Sequence, residues 1–424
     1  MDMEGDCNKS ADALHDANLS VPIPGTAVST SEYIRATDSM SSRSSDFAST
    51  SGSESSPTNF VSSRIQRLMQ MRTEYASAVE FEINASKDHW SELSPSSDDE
   101  EEAESDLEAF QRLKTRWGTA FFKDYGDEEL VVGEKIAEGA QAEIFNAIWT
   151  YRDGRKWNCV VKVFKQGYRL RDLEKQWPLG MLQNRPFGRG YWTANSSWIL
   201  GATLLKNGRF AFHLMKYWGD LRKLIDCRMQ LNQGQSPPFT DSEVGQIMLR
   251  ICIGMQELHE LGIIHRDLKS SNILIWDMGF DNSGQCLDDG RIFDPLHDDF
   301  ACNVADFECS IGVVGTGYWR APEILLALKT HDIRSHLFTE KSDVYSFAMT
   351  CYEVLTGCIP FESLGRSCYD VVIEGRRPEL PDHVNPLMNT LLKRCWHGDA
   401  CERPTFKDIV GKLKFIYPEP KCTS

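Results

Sequence analysis

The order of secondary-structure patterns from Glu129 onward constrains the fold of this 424-residue chain more than any other feature. Short runs rich in β-branched and aromatic residues come first, and helix-periodic segments dominate beyond Asp220. The runs predict strands at Val131–Ile136, Glu143–Trp149, Trp157–Phe164, Trp198–Leu205 and Arg209–Met215. Strands followed by helices indicate an α+β, bilobal fold, with a small antiparallel sheet and a larger, mainly helical lobe.

Two of the helical segments have recognisable ends. Thr240 and Glu243 form a candidate capping box at the start of a helix that Gly262 would stop. Ser342 is placed to cap a second helix, and Gly357 would close it.

The first part of the chain has a different composition. Residues 1–110 hold 22 acidic and 7 basic residues, whereas the remaining 314 residues hold 40 and 39. The Ser-rich, acidic stretches offer too few apolar groups to offset ordering entropy, so we expect residues 1–115 to be a largely disordered tail. Within it, residues 65–71 could form either a short amphipathic helix or a transient one. A helix from Asp106 to Phe122 is predicted to lead into the folded part.

Charge and cysteine patterns argue against several classes of protein. Because the folded part is nearly neutral, we expect no nucleic-acid partner and no anionic-membrane surface. No apolar run reaches the roughly 18–20 residues of a membrane span, so we expect no membrane insertion. The 13 cysteines form no CxxC pair and no zinc-site spacing, and the start resembles no signal peptide. We therefore expect reduced thiols and a cytoplasmic or nuclear location.

The most specific motif is the eight-residue segment His265-Arg-Asp-Leu-Lys-Ser-Ser-Asn272. The segment Val160-Val-Lys162 precedes it on a predicted strand, and Asp306-Phe-Glu308 follows it. Twelve residues further on comes Ala321-Pro-Glu323. In this order and spacing, the segments resemble the motifs of the eukaryotic protein kinase family.

The resemblance implies transfer of the γ-phosphoryl group of ATP to a hydroxyl group of a protein substrate. Asp267 would orient the attacking hydroxyl, and Lys269 would neutralise charge on the transferred group. Lys162 would contact the α- and β-phosphates, and Glu174 would be its glutamate partner from the following helix.

The resemblance also assigns a metal site and a nucleotide site. Asn272 and Asp306 would hold Mg²⁺, with Mn²⁺ as an alternative. Met215 would lie at the back of the adenine pocket, and the backbone of Lys216 and Trp218 would bond the adenine. The full set of residues expected to contact ATP is Ile136, Gly139, Ile144, Val160, Lys162, Met215, Lys216, Trp218 and Leu274.

Two motifs depart from the family pattern. Ala137 and Ala142 stand where the phosphate-covering loop has glycine, and alanine restricts the turn that glycine permits. Glu308 replaces the glycine of the metal-binding tripeptide. These departures leave open an alternative from another class, a pseudokinase that acts as a signalling scaffold. A small-molecule phosphotransferase with the same fold is a third alternative, which the peptide-facing segment Ala321-Pro-Glu323 argues against.

Within the family, Gly315–Glu323 and Glu402–Phe406 look like the corresponding segments of the tyrosine-kinase-like group, most of whose members phosphorylate Ser or Thr. Lys269 and Ser271 likewise favour Ser/Thr acceptors in protein substrates. The resemblance covers about residues 129–416.

The resemblance divides that range into a small lobe of residues 129–216 and a large lobe of residues 217–416. An insertion is expected near residues 276–300, between two strands of the large lobe.

Several further contacts are implied by the resemblance. Glu323 should form a buried ion pair with Arg403, and Asp343 should bond the catalytic-loop backbone. Thr316 should touch the catalytic aspartate, which leaves Ser310 as the better candidate for a phosphorylation site.

Overall fold

The structure is a computed structural model, and it describes residues 104–126, 128–151, 154–178, 180–181, 195–277, 293–362, 364 and 369–418. Most of the expected tail, the segment at residues 65–71 and the centre of the expected insertion lie outside the described residues.

The first lobe contains a five-stranded antiparallel sheet in the order β1-β2-β3-β5-β4. Its strands are β1 Leu130–Glu138, β2 Ala142–Thr150, β3 Lys156–Phe164, β4 Ile199–Leu204 and β5 Phe210–Met215. The five predicted strands are therefore confirmed, with ends shifted by only one or two residues. The β-branched and aromatic residues that marked them supply the buried faces of the sheet.

A helix ahead of the sheet packs into the same lobe. Helix α1, Asp106–Trp117, begins at a capping box on Ser105 and ends at Gly118, whose φ of 92° a side chain would disfavour. The predicted helix is confirmed, but it stops before Phe122. Phe110 of α1 is 1% exposed and packs edge-on against Phe122, with ring centroids 5.8 Å apart. The buried core of the lobe therefore begins ahead of residue 129.

The second lobe is mainly helical. After the short helix α2, Leu170–Glu174, of the first lobe, the chain forms α3 Leu221–Leu231, α4 Asp241–Glu260, α5 Pro322–Lys329, α6 Glu340–Thr356, α7 Tyr369–Ile373, α8 Pro386–Cys395 and α9 Phe406–Ile416. A small antiparallel sheet joins β6 Gly219–Asp220, β7 Ile273–Asp277 and β8 Phe300–Val304. Among the described residues, no helix is both long enough and apolar enough to cross a membrane.

The predicted helix ends are confirmed with one correction. Thr240 and Glu243 form the capping box of α4. Ser342 was expected to cap α6, but the N-cap is Thr339, and the Ser342 hydroxyl accepts a hydrogen bond from the Thr339 amide at 3.2 Å. Ser342 is thus the third residue of the capping arrangement. Gly357 closes α6 in the left-handed conformation, as predicted.

The two lobes share a backbone contact at residues 195–197. The Ser197 amide donates to the Val304 carbonyl of β8 at 2.7 Å, and the Val304 amide donates to the Asn195 carbonyl at 2.8 Å. Gly254 of α4 makes this approach possible, because a Cβ atom there would lie 2.5 Å from the Asn195 carbonyl oxygen. The segment ahead of β4 is therefore fixed to the large lobe.

The expected ion pair of the large lobe is confirmed. The Arg403 guanidinium donates to both carboxylate oxygens of Glu323, each at 2.8 Å. The Arg403 side chain is fully buried, and it also donates to the carbonyls of Lys341 and His397. The pair ties the start of α5 to the turn before α9.

Candidate active site

The catalytic loop lies between α4 and β7, and a buried carboxylate holds its backbone. Asp343 of α6 accepts hydrogen bonds from the amides of His265 and Arg266, both at 2.8 Å, which confirms its predicted role. The backbone of Arg266 has a φ of 68°, a conformation that side-chain-bearing residues rarely adopt. The two hydrogen bonds that Asp343 accepts stabilise this strained turn. The turn fixes the position of the next residue, Asp267.

Asp267 presents one engaged and one unengaged oxygen. Its Oδ2 accepts from the Lys269 ammonium at 2.7 Å and from the Asn272 amide at 3.2 Å. Its Oδ1 is buried and has no hydrogen-bond partner among the described residues. A buried carboxylate oxygen without a donor is costly, so this atom is suited to accept a hydrogen bond from a bound hydroxyl.

Thr316 joins this cluster through Lys269. The Lys269 ammonium donates to the Thr316 hydroxyl at 2.7 Å as well as to Asp267. The expected direct contact between Thr316 and the aspartate is therefore mediated by the lysine. This bridge fixes the distance between the catalytic loop and the activation segment, residues 309–320.

Lys162 of β3 lies between two carboxylates of the metal-binding segment. Its ammonium donates to Asp306 at 2.5 Å and to Glu308 at 2.6 Å. Burial by itself would lower the pKa of Lys162, but the negative charges of Asp306 and Glu308 raise it above its usual value. The charge of Lys162 in turn lowers the pKa of Asp306. Both the lysine and the aspartate are therefore charged at neutral pH.

The assignment of Glu174 as the partner of Lys162 is wrong. Both carboxylate oxygens of Glu174 bind the guanidinium of Arg112 in α1, at 3.2 and 2.8 Å. Glu174 ends a helix of only five residues, and it faces α1. Sequence reasoning missed Glu308 in this role because it treats Glu308 as a lost glycine and as an added negative charge near the metal, and not as a partner of Lys162. The signal was a carboxylate next to the metal motif in a chain with no well-spaced glutamate after Lys162.

Asn272 and Asp306 fit a shared metal site. The Asn272 amide nitrogen donates to the Asp267 carbonyl at 2.7 Å, which leaves the amide oxygen to bind a cation. The Asp306 side chain is 51% exposed. Among the described residues, no group of three or more His, Cys, Asp or Glu side chains is arranged to hold a metal by itself. Mg²⁺ at nucleotide sites usually needs one or two carboxylates plus phosphate oxygens, so this pair suits a metal that arrives with a nucleotide.

Strand pairing shows which residues share the face of Lys162. Ile144 and Phe212 lie directly opposite Lys162 on the two neighbouring strands, and Leu214 lies opposite Val160. Directly paired residues of antiparallel strands point to the same side, and side chains two apart on one strand share a face. Ile144 and Val160 are therefore on the face that the nucleotide assignment requires.

Met215 lies on the opposite face, so its placement behind the adenine is wrong. It pairs with Cys159, and with Trp149 and Trp157 it lines a cavity on the other side of the sheet. A shift of one residue along a strand moves a side chain to the other face. Leu214 takes the position that had been given to Met215.

Two of the remaining nucleotide assignments can be compared with backbone contacts. The Trp218 amide donates to the Ile275 carbonyl at 3.1 Å, so it is not available to an adenine ring in this conformation. Leu274 is half-buried on β7, where it pairs with Asp220. The roles of Lys216 and Ile136 stay predictions.

The phosphate-covering loop accommodates alanine without strain. It forms the tight turn between β1 and β2, in which the Gly139 amide donates to the Ala142 carbonyl at 2.8 Å. None of the residues from Ala137 to Ala142 has a positive φ. A Cβ atom on Gly139 would lie 3.5 Å from the Ala142 carbonyl oxygen, which is an ordinary contact. The turn therefore does not depend on the missing glycines.

The activation segment is held by backbone contacts. Arg266 donates to the Ile311 carbonyl at 2.7 Å, and its guanidinium stacks on Phe338 at 4.6 Å. Ser310, the expected phosphorylation site, is 1% exposed, so a modifying enzyme could reach it only after the segment opens. Burial also raises the pKa of Cys309 well above its usual value, which makes this thiol unreactive.

Comparison with known proteins identifies the family. The family model described as protein tyrosine and serine/threonine kinase matches residues 130–413. A light-sensor protein kinase of Ceratodon purpureus is 38% identical over 212 residues, which cover 47% of this chain and 16% of the relative. The serine/threonine/tyrosine-protein kinase HT1 of Arabidopsis thaliana is 32% identical over 200 residues, 45% of this chain and 44% of the relative. The serine/threonine-protein kinase STY46 of Arabidopsis thaliana is 32% identical over 180 residues, 41% of this chain and 27% of the relative.

Each of these alignments spans less than half the length of the relative. The match to the family model, in contrast, extends from the first strand of the sheet to α9. The chain therefore belongs to the protein tyrosine and serine/threonine kinase family, where it resembles the tyrosine-kinase-like serine/threonine kinases.

Proposed function

We propose that this chain transfers the γ-phosphoryl group of Mg-ATP to Ser or Thr hydroxyls of protein substrates. The observation that carries the proposal is the unengaged, buried Oδ1 of Asp267. It lies in a loop that Asp343 holds by two backbone hydrogen bonds. An acceptor of this kind can orient an attacking hydroxyl and receive its proton late in the transfer.

The residues around Asp267 support the transfer by charge and position. Lys269 lies 2.7 Å from both Asp267 and Thr316, so its positive charge is fixed beside the point of attack. Lys162 supplies a second fixed positive charge from the sheet. Preorganised charges of this kind lower the barrier because they need no reorganisation during the reaction.

Asn272 and Asp306 would hold the metal, as their available oxygens suggest. A bound Mg²⁺ with ATP would supply the phosphoryl group and neutralise the charge that develops during its transfer. Ile144, Val160 and Leu214 would cover the adenine from the face of the sheet that carries Lys162. Leu214 is thereby added to the residues that the sequence predicts to contact the adenine.

The choice of Ser or Thr as acceptor rests on the catalytic loop and on the relatives. Lys269 bridges Asp267 to Thr316, a contact that fits the Ser/Thr preference implied by Lys269 and Ser271 of the catalytic loop. HT1 and STY46 are named as serine/threonine/tyrosine and serine/threonine kinases. We also propose a cytoplasmic or nuclear location, since all nine cysteines among the described residues are free thiols.

Replacement of Asp267 by Asn tests the proposal. The full-length chain, incubated with Mg²⁺ or Mn²⁺ and labelled ATP, should phosphorylate itself or a generic protein substrate. Asp267→Asn should reduce the rate by about 10²–10⁴-fold, because an amide cannot accept the proton of the attacking hydroxyl. This variant should still bind nucleotide, as measured by the shift in its unfolding temperature when nucleotide is added. Equal rates for the variant and the wild type would refute the role of Asp267.

The scaffold alternative makes the opposite prediction for the same assay. It was raised by Ala137, Ala142 and Glu308, but the loop turn fits alanine and Glu308 binds Lys162. A wild-type chain that binds nucleotide and transfers no phosphate to any tested protein would favour the scaffold.

A further inference from the structure

Glu308 makes a contact that the glycine of the family pattern cannot make. Its Oε1 accepts a hydrogen bond from the Lys162 ammonium at 2.6 Å, and its side chain is only 4% exposed. The φ of Glu308 is not positive, so the local backbone does not require glycine. The substitution therefore adds a carboxylate to Lys162 without backbone strain.

Glu174 of α2, the glutamate expected to pair with Lys162, forms its ion pair with α1. Arg112 of α1 binds both carboxylate oxygens of Glu174. Asp106, also of α1, accepts a hydrogen bond from the Leu170 amide at the start of α2, at 2.9 Å. These contacts attach both ends of α2 to α1. Among the described residues, the ion-pair partners of Lys162 are Asp306 and Glu308.

The two carboxylates on Lys162 differ in exposure and in their other duties. Asp306 is 51% exposed and is the proposed metal ligand, whereas Glu308 is almost fully buried. If Asp306 binds a metal, its contact with Lys162 weakens. A buried ammonium group that loses its counter-charge is strongly destabilised. Glu308 would keep Lys162 paired and in place.

We propose that Glu308 is the positioning residue of Lys162 and replaces the helix glutamate in that role. This inference rests on the proposed phosphotransferase function. It makes the position of Lys162 depend on the metal-binding segment, which carries both Asp306 and Glu308, and not on the position of α2.

Three substitutions of Glu308, each in the full-length chain, test the inference. The dissociation constant of a non-hydrolysable ATP analogue is measured with Mg²⁺, together with kcat and the KM for ATP. Glu308→Gln and Glu308→Gly should each bind the analogue about tenfold more weakly, since both remove the negative charge that faces the Lys162 ammonium and the second also removes the hydrogen bond. Glu308→Asp keeps the charge and should restore part of the affinity.

Glu143→Gln is a matched control. Glu143 forms an ion pair of the same length, 2.6 Å, with Arg209 in the lobe that carries Lys162, but its carboxylate does not contact Lys162. This variant should bind the analogue like the wild type. Thermal unfolding of each variant without nucleotide would identify a folding defect. If Glu308→Gln or Glu308→Gly has such a defect, the binding comparison is made with Glu308→Asp, which is a smaller change.

Glu308→Gly is the decisive variant because it restores the residue of the family pattern. If Glu308 were only a lesion, this change would strengthen binding or leave it unchanged, and either result would overturn the proposal. A loss of affinity in Glu174→Gln as large as in Glu308→Gln would also overturn it. Because binding is measured without turnover, a wild type that transfers no phosphate would count only against the proposed function.

Discussion

Arg112 of α1 and Glu174 of α2 form a two-pronged ion pair, with N–O distances of 3.2 and 2.8 Å. The pair joins a helix outside the residues matched by the family model to a helix inside them. The described segment ahead of residue 129, residues 104–126, is therefore part of the small lobe. Its contribution has a polar part, at Arg112, and an apolar part, at Phe110.

The apolar part should dominate the stability of this contact. Phe110→Ala removes a ring that is 1% exposed, and it should lower the free energy of unfolding by about 3–5 kcal/mol. Arg112→Ala breaks a pair whose side chains are 41% and 24% exposed, and it should cost at most about 1 kcal/mol. Urea unfolding of both variants measures the difference. Equal losses would show that the ion pairs of Arg112 stabilise α1 as much as the buried ring does, which would contradict this prediction.

The buried pair between Glu323 and Arg403 should be sensitive to the loss of either partner. Arg403→Met leaves the Glu323 carboxylate without its two hydrogen bonds, and we expect a loss of about 3–5 kcal/mol in the free energy of unfolding. Arg334→Met, which breaks an exposed pair with Asp332, should change stability by less than about 1 kcal/mol. A small loss in Arg403→Met would mean that water compensates the unpaired carboxylate of Glu323, whose side chain is 25% exposed.

His213 should make the small lobe sensitive to acid. Burial, with a smaller effect of Lys123, lowers its pKa to about 3. An unfolded chain has a histidine pKa of about 6.5, so below that pH the unfolded state binds a proton that the folded state does not. The contribution of His213 to the stability of the folded state is therefore fully present above about pH 6.5, and it is lost as the pH falls toward 3. His213 also contacts the Tyr125 hydroxyl through Nδ1 at 2.8 Å.

His213→Gln removes the titrating group and keeps a polar partner for Tyr125. Between pH 7.5 and 5, its free energy of unfolding should fall by about 1–2 kcal/mol less than that of the wild type. Urea unfolding at the two pH values gives this comparison. Identical pH dependence in both proteins would show that His213 is protonated or solvated in the folded state.

Activity should not depend on phosphorylation of Ser310. The Ile311 carbonyl already receives a hydrogen bond from Arg266, and Ser310 is buried beside it. Phosphatase treatment and Ser310→Ala should leave the transfer rate unchanged. Ser310→Glu should lower stability by about 3 kcal/mol or more, because it buries a charge without a partner. Activation by the glutamate would show that the segment is ordered differently in the working enzyme.

Much of the fold could be predicted because its signals are local. Alternation of β-branched and aromatic residues marked each strand of the sheet, and the residues at Thr240 and Gly357 marked helix ends. The catalytic loop was equally accessible, since its functional groups lie within eight consecutive residues. Local patterns of this kind need no knowledge of how distant segments meet.

The errors concern contacts between distant segments. Lys162 and Glu308 are 146 positions apart, and the carboxylate in the metal-binding tripeptide indicates an added charge there without indicating its partner. Met215 failed for a different reason, because one residue of register decides which face of β5 a side chain occupies. Ser342 differed only in its position within the capping arrangement of α6. The partner of Lys162 and the register of β5 therefore needed the three-dimensional structure.

The hydrogen bonds between residues 195–197 and β8 have a mechanical consequence for the two lobes. The chain passes from the small lobe to the large lobe near Trp218, whose amide is also bonded to the large lobe, at the Ile275 carbonyl. The two lobes are therefore hydrogen-bonded to each other at two separate points. Gly254 permits the first of these two contacts, because a methyl group there would collide with the Asn195 carbonyl oxygen and push Asn195 away from α4. A Gly254→Ala substitution would therefore displace one of these two contacts, and so change how the lobes are held together, without altering any residue assigned to binding or catalysis.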